Sequence, residues 1–82
     1  MGRKEKLYAK LKNTPNSGTF EDVDNLLRWC GFELRRAKGS HHVYRHPGHD
    51  RIMTVPRHKP LKAIYVKNAV ALFEQFFDFD ED

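Results

Sequence analysis

The apolar residues of this chain change their spacing twice, from a helical period to an alternating one and then back again. A helix repeats about every 3.6 residues and a strand about every two, so each change marks a boundary between elements. A chain of 82 residues has room for one small core. The order of helix, strands and helix therefore predicts a single α+β domain.

The first helix of that pattern is predicted to begin at Thr19 and to end before Gly31. Thr19 can accept hydrogen bonds from free backbone N–H groups, and Asp22, three residues later, suits the positive end of the helix dipole. Glycine readily adopts the left-handed conformation that ends helices. The apolar positions follow one-face spacing at Phe20, Val23, Leu26, Leu27 and Cys30.

Alternating residues between positions 32 and 56 predict three strands joined by two short turns. Strands connected so tightly should pair as an antiparallel meander. The turn residues glycine, proline, serine and aspartate separate the strands. The predicted segments are a strand at 32–37, a turn at 38–40, a strand at 42–46, a turn at 47–50 and a strand at 51–56.

The faces of these strands are predicted only in part. One side of the first strand should hold Phe32, Leu34 and Arg36. In the second strand the pattern leaves open whether Val43 or Tyr44 points into the core. It therefore also leaves open whether His41 or His42 shares the buried face.

The last apolar segment, from Leu61 to Phe77, predicts a long helix with Pro60 in its first turn. Two helices on one face of a three-stranded antiparallel sheet make an α-β-β-β-α two-layer sandwich. The best apolar stripe of this helix consists of Leu61, Tyr65, Ala69, Leu72, Phe73 and Phe76.

Segments of opposite charge flank this predicted domain of residues 19–77. Residues 1–18 form a basic extension, in which a short helix at 4–12 should place Leu7, Tyr8 and Leu11 on one side. Residues 78–82 form an acidic tail that is expected to fray.

Charge and cysteine content narrow the class of protein. Residues 33–62 carry eight basic and two acidic side chains, a field that attracts polyanions such as nucleic acid, although a solvated basic face is the plainer interpretation. Cys30 is the single cysteine and is predicted to be an inert core thiol. No apolar segment approaches the roughly 18 residues of a membrane span, and the first residues do not resemble a signal peptide. A cytoplasmic protein without membrane contact is expected.

Histidines concentrate beside these cations. His41 directly follows Gly39 and Ser40 at the start of a strand, where a side chain can reach a ligand, and imidazole exchanges protons near neutral pH. A polar hairpin with histidines on its surface is the alternative. A pairing of Ser40 with His41 as nucleophile and base lacks an orienting third group. Nearby positive charge comes from Arg36, Lys38 and Arg45.

A zinc site is the competing interpretation of the same cluster, through His42, His46 and His49. On one strand the Cα atoms of His42 and His46 would lie roughly 13 Å apart, too far for a shared ion without a bend. No cysteine or compact carboxylate set completes the shell. The sequence therefore predicts no metal ligands and no cofactor.

Three motifs together resemble the HicA family of bacterial toxins. They are Leu-Leu-x-x-x-Gly-Phe at 26–32, Lys-Gly-Ser-His-His-Val-Tyr-Arg-His-Pro at 38–47, and Thr-Val-Pro-Arg-His at 54–58, in matching order across about residues 19–76. Two departures from the family pattern are the basic extension, absent from shorter members, and Ile64-Tyr65, where many members have Gly-Thr.

The resemblance implies a double-stranded-RNA-binding-like fold and a toxin of a type II toxin–antitoxin system. Members act as metal-independent endoribonucleases on mRNA (mRNA interferases) and are inhibited by a HicB-type antitoxin protein. The family's catalytic histidine corresponds to His41, and His42, at a more variable position, is kept as a second candidate. A non-catalytic RNA-binding module and a protein-interaction module remain alternatives. The predicted RNA contacts are Arg36, Lys38, Gly39, Ser40, His42, Arg45, Arg57 and His58.

Overall fold

The structure is a computed structural model that describes residues 2–77. Its elements follow the predicted order, with a short 3-10 turn at Pro15–Ser17 between the first two helices. The helices are α1 (Arg3–Asn13), α2 (Phe20–Trp29) and α3 (Ala63–Phe76), and the strands are β1 (Glu33–Lys38), β2 (His41–Arg45) and β3 (Ile52–Pro56).

Thr19 caps the start of α2 and Gly31 ends it, as predicted. The Asp22 N–H donates to the Thr19 hydroxyl, and the Thr19 N–H donates to the Asp22 carboxylate, each at 3.1 Å. This reciprocal capping box satisfies two backbone donors that the helix itself leaves free. After the helix, Gly31 has a φ of +96°, a left-handed backbone conformation that residues other than glycine rarely adopt.

The three strands form an antiparallel sheet in the order β1-β2-β3. Tyr44 is fully buried and lies opposite Met53, while Val43 lies opposite Thr54 on the other face. Because successive strand residues point to opposite faces, His42 shares the helix-covered face with Tyr44, and His41 lies on the outer face with Val43. Tyr44 and His42 therefore lie on the buried face of β2, a choice that the sequence alternation left open.

A β-bulge interrupts β1 between Leu34 and Arg36. Leu34 lies opposite Tyr44 on the core face, but Arg36 lies opposite Val43 on the outer face. The prediction that Leu34 and Arg36 share a face is therefore wrong, because the extra residue Arg35 shifts the alternation by one position. The bulge turns Arg36 to the same face as His41.

The helices cover one face of the sheet, which confirms the two-layer α-β-β-β-α sandwich of the double-stranded-RNA-binding-like class. Their apolar faces meet Tyr44, Met53 and Val55 in one core. The outer face of the sheet has no helix over it among residues 2–77. The core consists of Leu11, Phe20, Val23, Leu26, Leu27, Cys30, Phe32, Tyr44, Met53, Val55, Leu61, Val66, Ala69, Val70 and Phe73.

Helix α3 differs from the prediction at its start and on its buried face. It begins at Ala63, so Pro60 precedes the helix instead of lying in its first turn. Leu61 is buried in the loop before the helix cap, and Val66 is buried four positions into the helix, the spacing of a hydrophobic staple. The buried stripe is rotated towards Val66 and Val70, and Tyr65 and Leu72 are only half-buried.

The basic extension is part of the core. Leu11 of α1 is fully buried, and the Tyr8 ring stacks on Phe73 of α3 with centroids 5.4 Å apart. At the surface the Lys12 ammonium lies 2.6 Å from the Glu74 carboxylate. This pairing raises the pKa of Lys12 and lowers that of Glu74. The predicted acidic tail, 78–82, lies outside the described residues.

We expect the substitution Gly18→Ala to lower the free energy of unfolding by about 1–3 kcal/mol. A Cβ at Gly18 would lie 2.7 Å from Val66 Cγ2 and 3.0 Å from Leu11 Cδ2, and both of these side chains are fully buried, so the packing would have to shift. Urea denaturation followed by circular dichroism measures the change. In the matched variant Gly48→Ala, the new Cβ meets His46 only at 3.4 Å or more, so a loss there as large as at Gly18 would contradict this explanation.

Burial also sets the chemistry of two core side chains. It raises the pKa of the Cys30 thiol to about 12, in keeping with an inert thiol. Burial, together with the 2.6 Å hydrogen bond that the Tyr44 hydroxyl donates to Asp24, raises the pKa of that phenol.

The free energy of unfolding is therefore expected to decrease as the pH rises above about 9. The unfolded thiol ionises near its ordinary value of 9.0, whereas the folded thiol stays neutral until about pH 12, so alkali favours the unfolded chain. Urea denaturation at about pH 8 and about pH 10 measures the slope. Cys30→Ala should make the decrease shallower, and an identical slope in that variant would show that Cys30 is not its source.

Candidate active site

A two-residue turn at one end of the sheet sets the position of His41. Gly39 has a φ of +59° at the first position of the turn, a left-handed conformation that glycine adopts without strain. The turn brings Lys38 of β1 directly opposite His41 of β2. Directly opposed strand residues have Cβ atoms about 4.5–5.5 Å apart and share a face, so the ammonium and the imidazole project from the same outer surface.

The outer face at this end forms an open groove of about 640 Å³. The side chains of Arg36, Lys38 and His41 are exposed there and make no hydrogen bond or ion pair with other residues of the range 2–77. The bulge in β1 is what adds Arg36 to this group. Such a groove offers a guanidinium, an ammonium and an imidazole to an anion. Its lining consists of Arg36, Lys38, Gly39, His41 and Val43.

His42 lies on the opposite face of β2 and does not join the groove. Its ring meets the Phe20 ring edge-on with centroids 4.8 Å apart, and its Nδ1 lies 3.2 Å from the Ser40 carbonyl oxygen. The side chain is half-buried between sheet and helix. His41 and His42 therefore cannot approach a phosphate together from the outer face.

The segment after β3 runs beside the turn. The Arg57 N–H donates to the Ser40 carbonyl at 2.6 Å, which ties the loop to the hairpin. The Arg57 guanidinium lies over the Phe20 ring at 5.2 Å and 3.3 Å from the Glu21 carboxylate. His58 lines a pocket with these residues. Two of the predicted contact residues thus lie at the same end of the sheet as His41.

A comparison with protein families identifies the family of this chain. The family described as HicA toxin of bacterial toxin-antitoxin matches residues 20–75, which run from the start of α2 almost to the end of α3. The chain belongs to the HicA toxin family. It is thus a toxin component, and membership implies an antitoxin partner. No curated protein and no solved structure matches the chain.

Helix α1 and the 3-10 turn lie outside the HicA match, although α1 packs against its core. The described part of this HicA chain, residues 2–77, contains no helix that is long and apolar enough to cross a membrane.

Arg45 stands apart from the other candidates in this HicA domain. It shares the outer face with His41 but lies at the other end of β2, about 13 Å away along the strand. Its guanidinium is 4.0 Å from the exposed carboxylate of Asp50. Arg45 can therefore contact only a phosphate some distance from one held at His41.

The His46 side chain is held by contacts within the domain. Its Nδ1 accepts a 3.0 Å hydrogen bond from the Gly48 N–H, so Nε2 carries the proton that is donated to the Cys30 carbonyl, also at 3.0 Å. The ring stacks on Phe76, with centroids 5.0 Å apart. Among residues 2–77 no three histidine, cysteine or acidic side chains converge to hold a metal ion.

Other residues that share a pocket with Arg57 and His58 were not predicted as contacts from the sequence. Asn16 and Ser17 come from the 3-10 turn, and Glu21 comes from the first turn of α2. Asn16 and Ser17 belong to a segment interpreted only as a turn, and nothing in their spacing indicated proximity to residue 57. The proline and glycine that bend the chain there were the available signal.

Proposed function

We propose that this toxin is a metal-independent endoribonuclease that cleaves mRNA, with His41 as its general base or acid, and that a HicB-type antitoxin inhibits it. The observation that carries the proposal is the outer-face groove in which His41 lies opposite Lys38 and beside Arg36. These groups suit a phosphodiester whose cleavage requires proton transfer and stabilisation of negative charge.

The proposed reaction uses the ribose 2′-hydroxyl as the nucleophile. His41 removes its proton as the oxygen attacks the adjacent phosphorus, and the bond from phosphorus to the 5′-oxygen breaks. The products are a 2′,3′-cyclic phosphate and a 5′-hydroxyl, whose proton comes from water or from a second protein group. Lys38 and Arg36 stabilise the extra charge on the phosphoryl oxygens in the transition state.

The composition of the groove favours a phosphate over a divalent cation. None of its five lining residues is a carboxylate, whereas Mg²⁺ prefers oxygen ligands and carboxylates in particular. Guanidinium and ammonium groups are instead the usual partners of phosphate oxygens. This donor set supports proton transfer by His41 without a metal ion.

The fold leaves the form of the RNA open. Domains of this class can contact duplex RNA by its shape, yet function follows from the site and not from the architecture. We propose single-stranded mRNA, because an open groove beside a hairpin turn can take an unpaired strand. A HicB-type antitoxin would inhibit the toxin by covering the uncovered face of the sheet around His41.

The test is cleavage of a single-stranded RNA by the purified protein in excess EDTA, with the product ends identified by mass spectrometry. We expect fragments that end in a cyclic phosphate. A matched RNA with one 2′-deoxynucleotide at the cut position should resist cleavage there, because it lacks the nucleophile. Cleavage of that bond, or of DNA, would contradict the mechanism. RNA binding with no cleavage at all would instead favour the non-catalytic binding module.

A further inference from the structure

A second pocket, of about 560 Å³, lies at the same end of the sheet as the His41 groove. Its volume falls within the range of pockets that hold small organic ligands, about 300–1,000 Å³. Three segments form its walls. They are the 3-10 turn with residue 18, the start of α2 at 19–21, and the loop at 57–61 after β3.

This pocket is joined to the proposed cleavage site through the backbone. His41 lies opposite Pro56 in the sheet, and the next residue, Arg57, donates its N–H to the Ser40 carbonyl. Ser40 is therefore in contact with one wall of the pocket and is covalently joined to His41. A strand of RNA whose phosphate lies at His41 can extend over the hairpin turn to this pocket.

Arg57 provides a flat platform inside the pocket. The Phe20 ring lies beneath its guanidinium at 5.2 Å, and the Glu21 carboxylate holds it from the side at 3.3 Å. The Arg57 side chain nevertheless remains 60 % exposed. Guanidinium planes are surfaces on which unstacked RNA bases stack, and a guanidinium held in advance loses little freedom on binding.

The polar groups around this platform suit the edge of a base better than a phosphate. The Glu21 carboxylate would repel a phosphate but can accept hydrogen bonds from base N–H groups. The exposed Asn16 amide both donates and accepts, and it makes no hydrogen bond with other residues of the range 2–77. His58 and Lys59 are exposed residues of the lining that add hydrogen-bond donors, past which the sugar-phosphate backbone can run.

From these contacts we infer that this pocket binds a base of the RNA next to the cleaved phosphate and contributes to the choice of cut site. The inference rests on the proposed function, since it names a further part of the same substrate site. Asn16 and Ser17 belong to the extension and lie outside the family match, which begins at residue 20. The extension would thus give this toxin a base preference that members without it lack.

The test compares the affinities of short single-stranded RNAs, made of A, of C, of U, or of alternating G and U, by fluorescence anisotropy. The protein is the full chain carrying His41→Ala, so that the RNA stays intact. One base should bind about ten-fold more tightly than the weakest, and Asn16→Ala or Glu21→Gln should remove most of that difference. The control Asn25→Ala changes an exposed asparagine of α2 that does not line the pocket.

Equal affinities for all the RNAs, or a preference that survives both pocket variants, would overturn the inference. Failure of the pocket inference must be distinguished from failure of the proposed function. For this, the cut ends are sequenced after cleavage by proteins that retain His41. If the bases that flank the cuts are the same with and without Asn16→Ala, the proposed nuclease function stands, but the proposed base-binding role of the pocket is rejected. Base-selective binding without any cutting would support the pocket and reject the nuclease.

Discussion

Replacing His41 by alanine is expected to lower the rate of RNA cleavage by about 100- to 10,000-fold, the usual contribution of a positioned general acid or base. Alanine cannot accept the proton of the 2′-hydroxyl, whereas Lys38 and Arg36 remain to bind the phosphate. RNA affinity should consequently change far less than the rate. Single-turnover cleavage with excess protein, together with anisotropy on an uncleavable 2′-deoxy analogue, separates the two quantities.

The exposure of His41 makes this variant informative, because removing an exposed side chain usually changes the free energy of unfolding by about 0.5 kcal/mol or less. A large loss of activity can then be assigned to chemistry. His49→Ala is the matched control, since His49 is also exposed but lies in the turn at the other end of β2. A folded His41→Ala protein that cuts as fast as the wild type, or a His49→Ala protein that is equally impaired, would remove His41 from the mechanism.

Features that depend on neighbouring residues could be predicted from the sequence. The cap formed by Thr19 and Asp22, the stop at Gly31 and the turn at Gly39 are each decided within a few residues, and all three were predicted. The order of elements follows from the hydrophobic period for the same reason. The inert thiol of Cys30 needed only its position on the apolar stripe of a helix.

Features that depend on pairing between segments could not be predicted in this way. The bulge at Arg35 is a property of the β1–β2 register, and no residue type in β1 indicates it. Its consequence reaches the candidate site, because without it Arg36 would face the core and leave the groove. The choice between His41 and His42 likewise required the packing of Tyr44, whose burial decides which face of β2 meets the helices.

The rotated stripe of α3 has a cause in the extension. Without α1, α3 would need to cover only the sheet and α2. Gly18 lies close to both Val66 and Leu11, so the extension brings a further apolar surface to one side of α3. Burial therefore shifts towards Val66 and Val70. The predicted stripe lacks both residues, because it assumed that α3 packs against one surface only. An extension predicted only to flank the domain gave no reason to expect this.

Leu11→Ala tests whether the extension is part of the folding unit. Leu11 is fully buried among α1, α2 and α3, so its truncation should lower the free energy of unfolding by about 2–5 kcal/mol. The whole free energy of unfolding of a domain of this length is only about 4–12 kcal/mol. Urea denaturation, followed by the fluorescence of the single tryptophan, Trp29, gives the value.

Leu7→Ala makes the comparison specific, because it is the same substitution in the same helix at a half-buried position. Helix propensity changes equally in both variants, so the difference between them reports burial alone. We expect Leu11→Ala to be clearly the more destabilising, with one cooperative transition in each protein. If both variants lose less than about 0.5 kcal/mol, α1 is a removable attachment, and its 3-10 turn cannot hold Asn16 firmly enough to select a base. A large loss at Leu11 alone means that the residues outside the family match stabilise the same core that supports the His41 groove.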